Sequence, residues 1–397
     1  MSDLAARFAA YSGYHSTPEE GHRLFQEARE AGCPVAHSDQ LGGFHLVLGH
    51  ADARRVHGEW ETFSHEPSVM RPLVDRPGFP PLEYDPPRHT EWRELISFLF
   101  NGATARRTED PIRADINRLI DSIASTGECD LVQVFAEEVP MLVLCHVLGL
   151  DGAKRAEVRK RTLAVMGAAE DPERGAAAFM DFAAFGIREV AGRREEPRDD
   201  GLTTIAQWRM GGRPLSDLEI GQAMNSVLIG GHGTSISAIA SMFHEVLSRP
   251  HLRDELVADP SRIPLAIEET LRLHPPFFGL YRNATAAVTV AGTPIAPGDS
   301  VMVCWAAANR DPEVFADPAE FRMDRPKGPE RHLTFGQGIH TCPGQTVVRM
   351  EMRLLLGEVL RRLPDIELVD PDAVTYVFGG GEMVGIPALP ARFTPVL

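Results

Sequence analysis

Apolar positions along the chain recur mainly at helical spacing. Thr90–Phe100 and Ile112–Ile123 carry apolar residues three and four apart, the pattern of a helix that buries one face. Ala178–Val190 does the same and sets Phe179, Phe182 and Phe185 on or near one side. The clearest start signal is Ser216-Asp217-Leu218-Glu219, a capping box in which serine and glutamate satisfy each other's backbone N–H groups. The helix it opens is expected to run to Arg249, where Pro250 stops it. Unbroken, its 33 residues would be about 50 Å long. A further helical run covers Gln345–Leu363.

Strand patterns are fewer. Phe44–Leu48 is one. Val288-Thr289-Val290, the turn at Gly292 and Ser300–Cys304 predict a small hairpin unit. Val374–Phe393, with its glycines and prolines, predicts a β turn that returns to the core. The expected fold class is mainly α with a minor β part. The charged run Arg193–Gly201 reads as a solvated turn between helices, with a domain boundary as the other reading.

Charge narrows the function. Of the 397 residues, 40 are Lys or Arg and 56 are Asp or Glu, a net charge of −16. That disfavours a nucleic-acid binder, which needs a basic face, and a protein held on anionic lipid. Met1-Ser2-Asp3-Leu4 lacks the basic and apolar segments of a leader. The apolar stretch Met141–Leu150 contains His146 and is too short to span a bilayer. The five cysteines, Cys33, Cys129, Cys145, Cys304 and Cys342, are scattered and form no CxxC. A disulfide framework or zinc site is not expected, and a reduced cytoplasm is.

One cysteine stands apart. Phe335-Gly336-Gln337-Gly338-Ile339-His340-Thr341-Cys342-Pro343-Gly344 has three glycines that permit tight turns and close approach to a flat ligand. Cys342 precedes the helical run from Gln345, where a helix N-terminus stabilises a thiolate. Such a thiolate serves as a nucleophile or an axial metal ligand; a lone cysteine is also often just a small buried apolar residue.

This loop resembles the haem-binding loop of the cytochrome P-450 family, Phe-Gly-x-Gly-x-His-x-Cys-x-Gly, and fills every fixed position. The resemblance implies a single domain over 1–397, with a small N-terminal β-containing part, a large helical part and a long central helix over haem. It implies Cys342 as the proximal thiolate ligand of the iron, which favours O–O cleavage, with Phe335, His340 and Gly344 in the cofactor loop. Glu269-Thr270-Leu271-Arg272 matches the family's E-x-x-R, and Arg325 follows the meander Asn309-Arg310-Asp311-Pro312. Glu269, Arg272 and Arg325 are therefore expected as a structural triad. Asp85-Pro86-Pro87-Arg88-His89-Thr90-Glu91-Trp92-Arg93 looks like D-P-P-x-H-x-x-x-R, so His89, Arg93, Arg282 and His340 are expected around the haem propionates.

In the long helix, Gly230-Gly231-His232-Gly233-Thr234-Ser235 resembles the family's oxygen-binding kink. Gly230 leaves room beside the haem, and Thr234 is the hydroxyl expected to hydrogen-bond dioxygen. Gly233 stands where the family usually has a proton-relaying carboxylate. His232, Gly233 and Thr234 are the expected catalytic positions. Pro343 removes one N–H that could point at the sulfur.

Carried across, the family's substrate-contact regions give Val69, Met70, Leu82, Met166, Phe179, Val227, Phe278, Glu382 and Met383. This mostly apolar set suits a modest hydrophobic substrate; Phe277 and Phe278 fit a core as well, and Arg71, Arg76 and Glu382 hint at a polar anchor. The resemblance to bacterial members implies an iron–sulfur ferredoxin and its reductase as partners, with NAD(P)H as the indirect electron source. Arg106, Arg107, Arg349 and Arg353 are candidates for the docking patch. The expected activity is monooxygenation with haem b. A peroxide-driven enzyme is the alternative that Gly233 keeps open, and a haem-binding sensor is the non-enzymatic one. A cysteine hydrolase using Cys342 and His340 would need no flat-ligand loop.

Overall fold

The computed structural model describes residues 2–73, 76–166, 171–325, 331–379 and 381–396. Helices dominate, and the largest apolar cluster lies among them, from Trp92 and Leu95 through Met224 and Phe243 to Leu355 and Leu360. All but one of the expected helices are present, most of them longer than their apolar patterns. Thr90–Phe100 falls in Arg88–Leu99, with Phe100 as its C-cap. Ile112–Ile123 is the second half of Gly102–Ile123, which opens where the Asn101 side chain accepts from the N–H groups of Ala103 and Thr104. Ala178–Val190 lies within Pro172–Glu195, capped by Asp171. The C-terminal run forms Gln345–Arg362.

The charged run is a turn. The chain leaves Pro172–Glu195 and enters Gly201–Gln207, whose cap Asp200 accepts from the Thr203 N–H. Arg193 Nε donates to Asp200 Oδ2 at 2.6 Å, so the corner is pinned by a mostly buried ion pair.

The expected 33-residue helix is corrected to two. Asp217–Gly230 starts at the Ser216 capping box, and Gly233–Leu247 follows after a break. Arg249 belongs to the next element, as the N-cap of Pro250–Ala258. The break has a packing cause. A Cβ on Gly231 would sit 2.8 Å from Leu144 Cδ2 and 3.1 Å from the Val227 carbonyl oxygen, so a neighbouring helix presses on this backbone. Helices kink where glycine permits and a neighbour intrudes.

The hairpin is also corrected. Val288–Val290 pairs with Thr293–Ile295, turning through Ala291 and Gly292, both at positive φ. Ser300–Cys304 instead joins a five-stranded sheet, parallel to Phe44–Val47 and antiparallel to Gly279–Ala284. Val301 through Cys304 are four consecutive buried residues, which require cover on both faces. Val35–Ser38 and Phe63–Ser64 form the sheet edges. In the C-terminal segment Val377–Phe378 pairs with Val384–Gly385, and Pro390–Arg392 pairs with Glu367–Leu368 and Glu128–Asp130. Among the described residues no helix is long and apolar enough to cross a membrane.

Candidate functional site

The cysteine loop is shaped by its glycines. Gly336 and Gly338 take φ of +66° and +73°, a region that disfavours side chains. The loop closes on itself where the Cys342 N–H donates to the Phe335 carbonyl at 2.8 Å. The Phe335 ring is fixed by Arg349, whose guanidinium lies 4.5 Å from the ring centroid and donates to both oxygens of Glu268.

Beyond Pro343 the chain turns into Gln345–Arg362 with Gly344 as N-cap. The N–H groups of Gly344 and Gln345 are directed at the Cys342 sulfur. Burial raises the Cys342 thiol; these two donors, Arg93 and Arg349 oppose that. The donor that Pro343 lacks is thus followed by two that remain.

Beside the loop lies a largely buried cluster of two arginines and two histidines. His89, four residues before Arg93 on Arg88–Leu99, shares its helix face. Arg93 Nη1 donates to the Thr341 carbonyl at 2.5 Å. Arg282 comes from Gly279–Ala284 and is 2% exposed. His340 stacks on His65 at 3.4 Å between centroids, and His89 meets it edge-on at 4.4 Å. Among the described residues neither arginine has a carboxylate partner within ion-pair distance. Arg282 Nε, His89 Nε2 and both ring nitrogens of His340 are buried with no hydrogen-bond partner. Burial lowers Arg282 to about 9 and His340 to about 2, the latter reinforced by His89, Arg282 and Arg93. Buried positive groups with unused donors are costly unless an anion meets them. The donor set fits a ligand with two carboxylates.

The kinked helix offers a second surface. Gly230 is exposed although its helix is otherwise largely buried, and a Cβ there would meet nothing within 4 Å. Thr234 is half-buried, and its hydroxyl donates to the Gly230 carbonyl at 3.0 Å. Gly233 is buried and begins the second helix.

The expected catalytic placement of His232 is corrected. Its ring is fully buried and turned to the Glu137 carbonyl, 3.5 Å from Nε2, with Arg159 nearby. Burial lowers it to about 4.

Glu269, Arg272 and Arg325 meet as expected in position. Arg272 donates to both Glu269 oxygens at 2.9 and 2.7 Å, and Arg325 Nε donates to Oε1 at 2.8 Å. Arg272 also binds the carbonyls of Asn309, Pro318 and Glu320, tying the meander to its helix.

The proposed lining residues divide. Val227 is buried on Asp217–Gly230, and Phe179 packs edge-on against Phe79 at 5.3 Å. Val69 and Met70 lie against the sheet, and Leu82 is 37% exposed. Met383 bridges Phe277. Met166 ends the helix Arg155–Met166, and its side chain lies outside the described residues. Two assignments are corrected. Phe278 sits in a separate core with Phe25 and Phe378, because the N-terminal helix Pro18–Glu30 covers it. Glu382 is a buried tether, accepting from Tyr11, Tyr281 and the Gly13 N–H. The other anchors are engaged too: Arg76 pairs with Glu83, and Arg71 donates to Asn283 Oδ1. Of the candidate docking arginines, Arg349 pairs with Glu268, Arg353 with Glu109 and Arg107 with Asp199.

Sequence reasoning missed His57, His65 and Trp305. None lies in a motif; only tertiary contact brings them to the loop.

Fold and site together define a helical protein with a cysteine loop next to a cluster of arginine and histidine side chains whose donors are partly unused. The family model described as Cytochrome P450 matches residues 176–372. Cytochrome P450 107B1 of Saccharopolyspora erythraea is 34% identical over 80% of this chain and 79% of its own. The Steroid C26-monooxygenase of Mycobacterium tuberculosis is 32% identical over 84% of this chain and 91% of its own. The crystal structure of CYP108D1 from Novosphingobium aromaticivorans superposes with a TM-score of 0.88 at 26% identity, covering 100% of this chain and 99% of that one. The chain belongs to the cytochrome P450 family and is, with it, a haem-dependent monooxygenase.

Proposed function

We propose that the protein inserts one oxygen atom from dioxygen into a modest-sized hydrophobic organic substrate, by hydroxylation or oxidative dealkylation. Haem b supplies the oxygen activation, with a thiolate ligand that donates electron density to iron. The observation that carries this reading is the set of unused donors on Arg282, His89 and His340 beside Cys342, where neither Arg93 nor Arg282 has a carboxylate within ion-pair distance among the described residues.

Each residue then has a task. Cys342 would ligate the iron, its sulfur steadied by the Gly344 and Gln345 N–H groups. Arg93, Arg282, His89 and His340 hold the two carboxylates. Phe335 flanks the loop, and Gly230, with no side chain, would leave room for the cofactor. The Thr234 hydroxyl, which donates to the Gly230 carbonyl, would hold a proton at its Oγ1 on the substrate side. Val69, Met70, Leu82, Phe179, Val227 and Met383 line the substrate side. Glu269, Arg272 and Arg325 hold the loop's surroundings. We read 1–397 as one domain in the cytoplasm, fed from NAD(P)H through a reductase and an iron–sulfur ferredoxin.

Gly233 favours one second reading, a peroxide-driven enzyme. Glycine offers no acid, and peroxide brings its own protons and electrons.

The test is the spectrum of the reduced protein with carbon monoxide. The wild type should show the red-shifted Soret band of a thiolate-ligated haem, and Cys342→Ala should lose it. A retained band in Cys342→Ala would refute the ligand assignment. Turnover with a donor chain but not with peroxide then supports the first reading over the second.

A further inference from the structure

Arg282, His57 and Trp305 form a buried row behind the cysteine loop. The Trp305 Nε1–H donates to His57 Nε2 at 2.8 Å, with the two rings stacked 5.9 Å apart. On the other side of the imidazole, Arg282 Nη2 lies 3.2 Å from Nδ1. An indole N–H and a guanidinium can only donate. A neutral imidazole has a single lone pair, so it accepts from just one of them. Protonating the ring makes matters worse, and burial together with the Arg282 charge holds His57 well below its ordinary value. The Trp305 contact is the shorter. The lone pair therefore sits on Nε2 and the proton on Nδ1. Nδ1–H and the Arg282 guanidinium are then two donors facing each other with no acceptor between them.

Arg282 is poorly satisfied elsewhere. Its Nη1 reaches only the adjoining Tyr281 carbonyl at 2.8 Å, and Nε has no partner. The row is part of the site rather than remote from it. His57 is 4% exposed, and a Cβ on Gly336 would lie 3.7 Å from its Cε1. A Cβ on Gly338 would lie 3.0 Å from its carbonyl oxygen, so the loop backbone rests on this histidine.

We infer that His57, its tautomer set by Trp305, is a further positioning donor for the cofactor: its Nδ1–H and the Arg282 guanidinium converge on one carboxylate that accepts from both. The inference rests on the haem reading. Trp305 acts only through His57, by forbidding the tautomer that would place a lone pair at Nδ1.

Three holoprotein variants test it: His57→Phe, His57→Gln and Trp305→Phe. Haem release is followed by transfer to apomyoglobin, and the reduction potential is measured beside it. A hydrogen bond to a charged group predicts release about tenfold faster or more in His57→Phe. Its potential should fall, because the carboxylate keeps more of its negative charge near the iron. His57→Gln restores an N–H and should recover most of both. Trp305→Phe should lie between, since the ring can then carry its proton on either nitrogen. Wild-type release and potential in His57→Phe would overturn the inference, as would a His57→Gln no better than His57→Phe. If His57→Phe does not fold, Trp305→Phe decides alone: wild-type values there overturn it. A wild type without the thiolate carbonyl band would overturn the haem reading and this inference together. A wild type with that band and unaffected variants would overturn this inference only.

Discussion

Glu269 accepts four hydrogen bonds on one buried carboxylate: Arg272 Nε and Nη2, Arg325 Nε and the Arg322 backbone N–H. Arg272 is 2% exposed, so its charge has no recourse to water. Removing one partner of a buried pair costs about 3–5 kcal/mol, because the other charge is left uncompensated. Glu269→Gln, which keeps the volume, should lower the stability from urea unfolding by about that amount and reduce haem content. A variant within about 0.5 kcal/mol of wild type would show that the carbonyls around Arg272 suffice. At this scale the sequence was readable wherever spacing and chemistry coincide, as at Glu269 and Arg272, three apart on a helix. It was silent on His57 and His65, whose roles come from contacts with residues more than two hundred positions away.

Between elements, the second half of the kinked helix and Gln345–Arg362 enclose Glu351. It is 2% exposed, one of its oxygens has no partner, and among the described residues Ser235 is the hydrogen-bonding neighbour that opposes its burial. Burial pushes it up to about 8 from the ordinary 4.5. The sign follows from comparing the folded and unfolded chains. Below 4.5 the carboxyl is protonated in both. Between 4.5 and 8 the unfolded chain releases its proton while the folded one keeps it. Stability therefore falls as pH rises through that window and levels off above it. Glu351→Gln should remove this slope. It should match wild type near pH 4.5 and exceed it by a few kcal/mol above pH 8, since each pH decade of displacement is worth about 1.4 kcal/mol. Parallel unfolding curves for the two proteins across pH 4–9 would contradict this. Neither this contact nor the helix break was legible in the sequence. The Ser216 cap is local and was found, whereas Leu144, which presses on Gly231, belongs to another helix.

For the whole molecule, a helical body and a small sheet meet where charge is least affordable. The chain carries −16 overall, yet among the described residues neither Arg93 nor Arg282 in the cluster with His89 and His340 has a carboxylate within ion-pair distance. Local motifs announced most of those residues, and helical periodicity announced the body. The sheet was largely hidden, because Ser300–Cys304 pairs with Phe44–Val47 and Gly279–Ala284 and no turn joins it to the former. That sheet carries Arg282 to the cluster, so the site depends on contacts no short pattern encodes. On the proposed reading, the dianionic cofactor is part of the fold's electrostatic balance as well as of its chemistry. A ligand present at a thousand times its dissociation constant adds about 4 kcal/mol to stability. Gentle removal of haem should therefore lower the melting temperature, and re-adding haem should restore it. The apoprotein should also gain more from sulfate than from chloride at equal ionic strength, because a divalent anion meets the two unpaired arginines better. Arg282→Leu removes one of the uncompensated charges, so its apoprotein should gain less from sulfate than the wild-type apoprotein does. Apo and holo forms that melt together, or a sulfate gain unchanged by Arg282→Leu, would show that the cluster is satisfied without an anion.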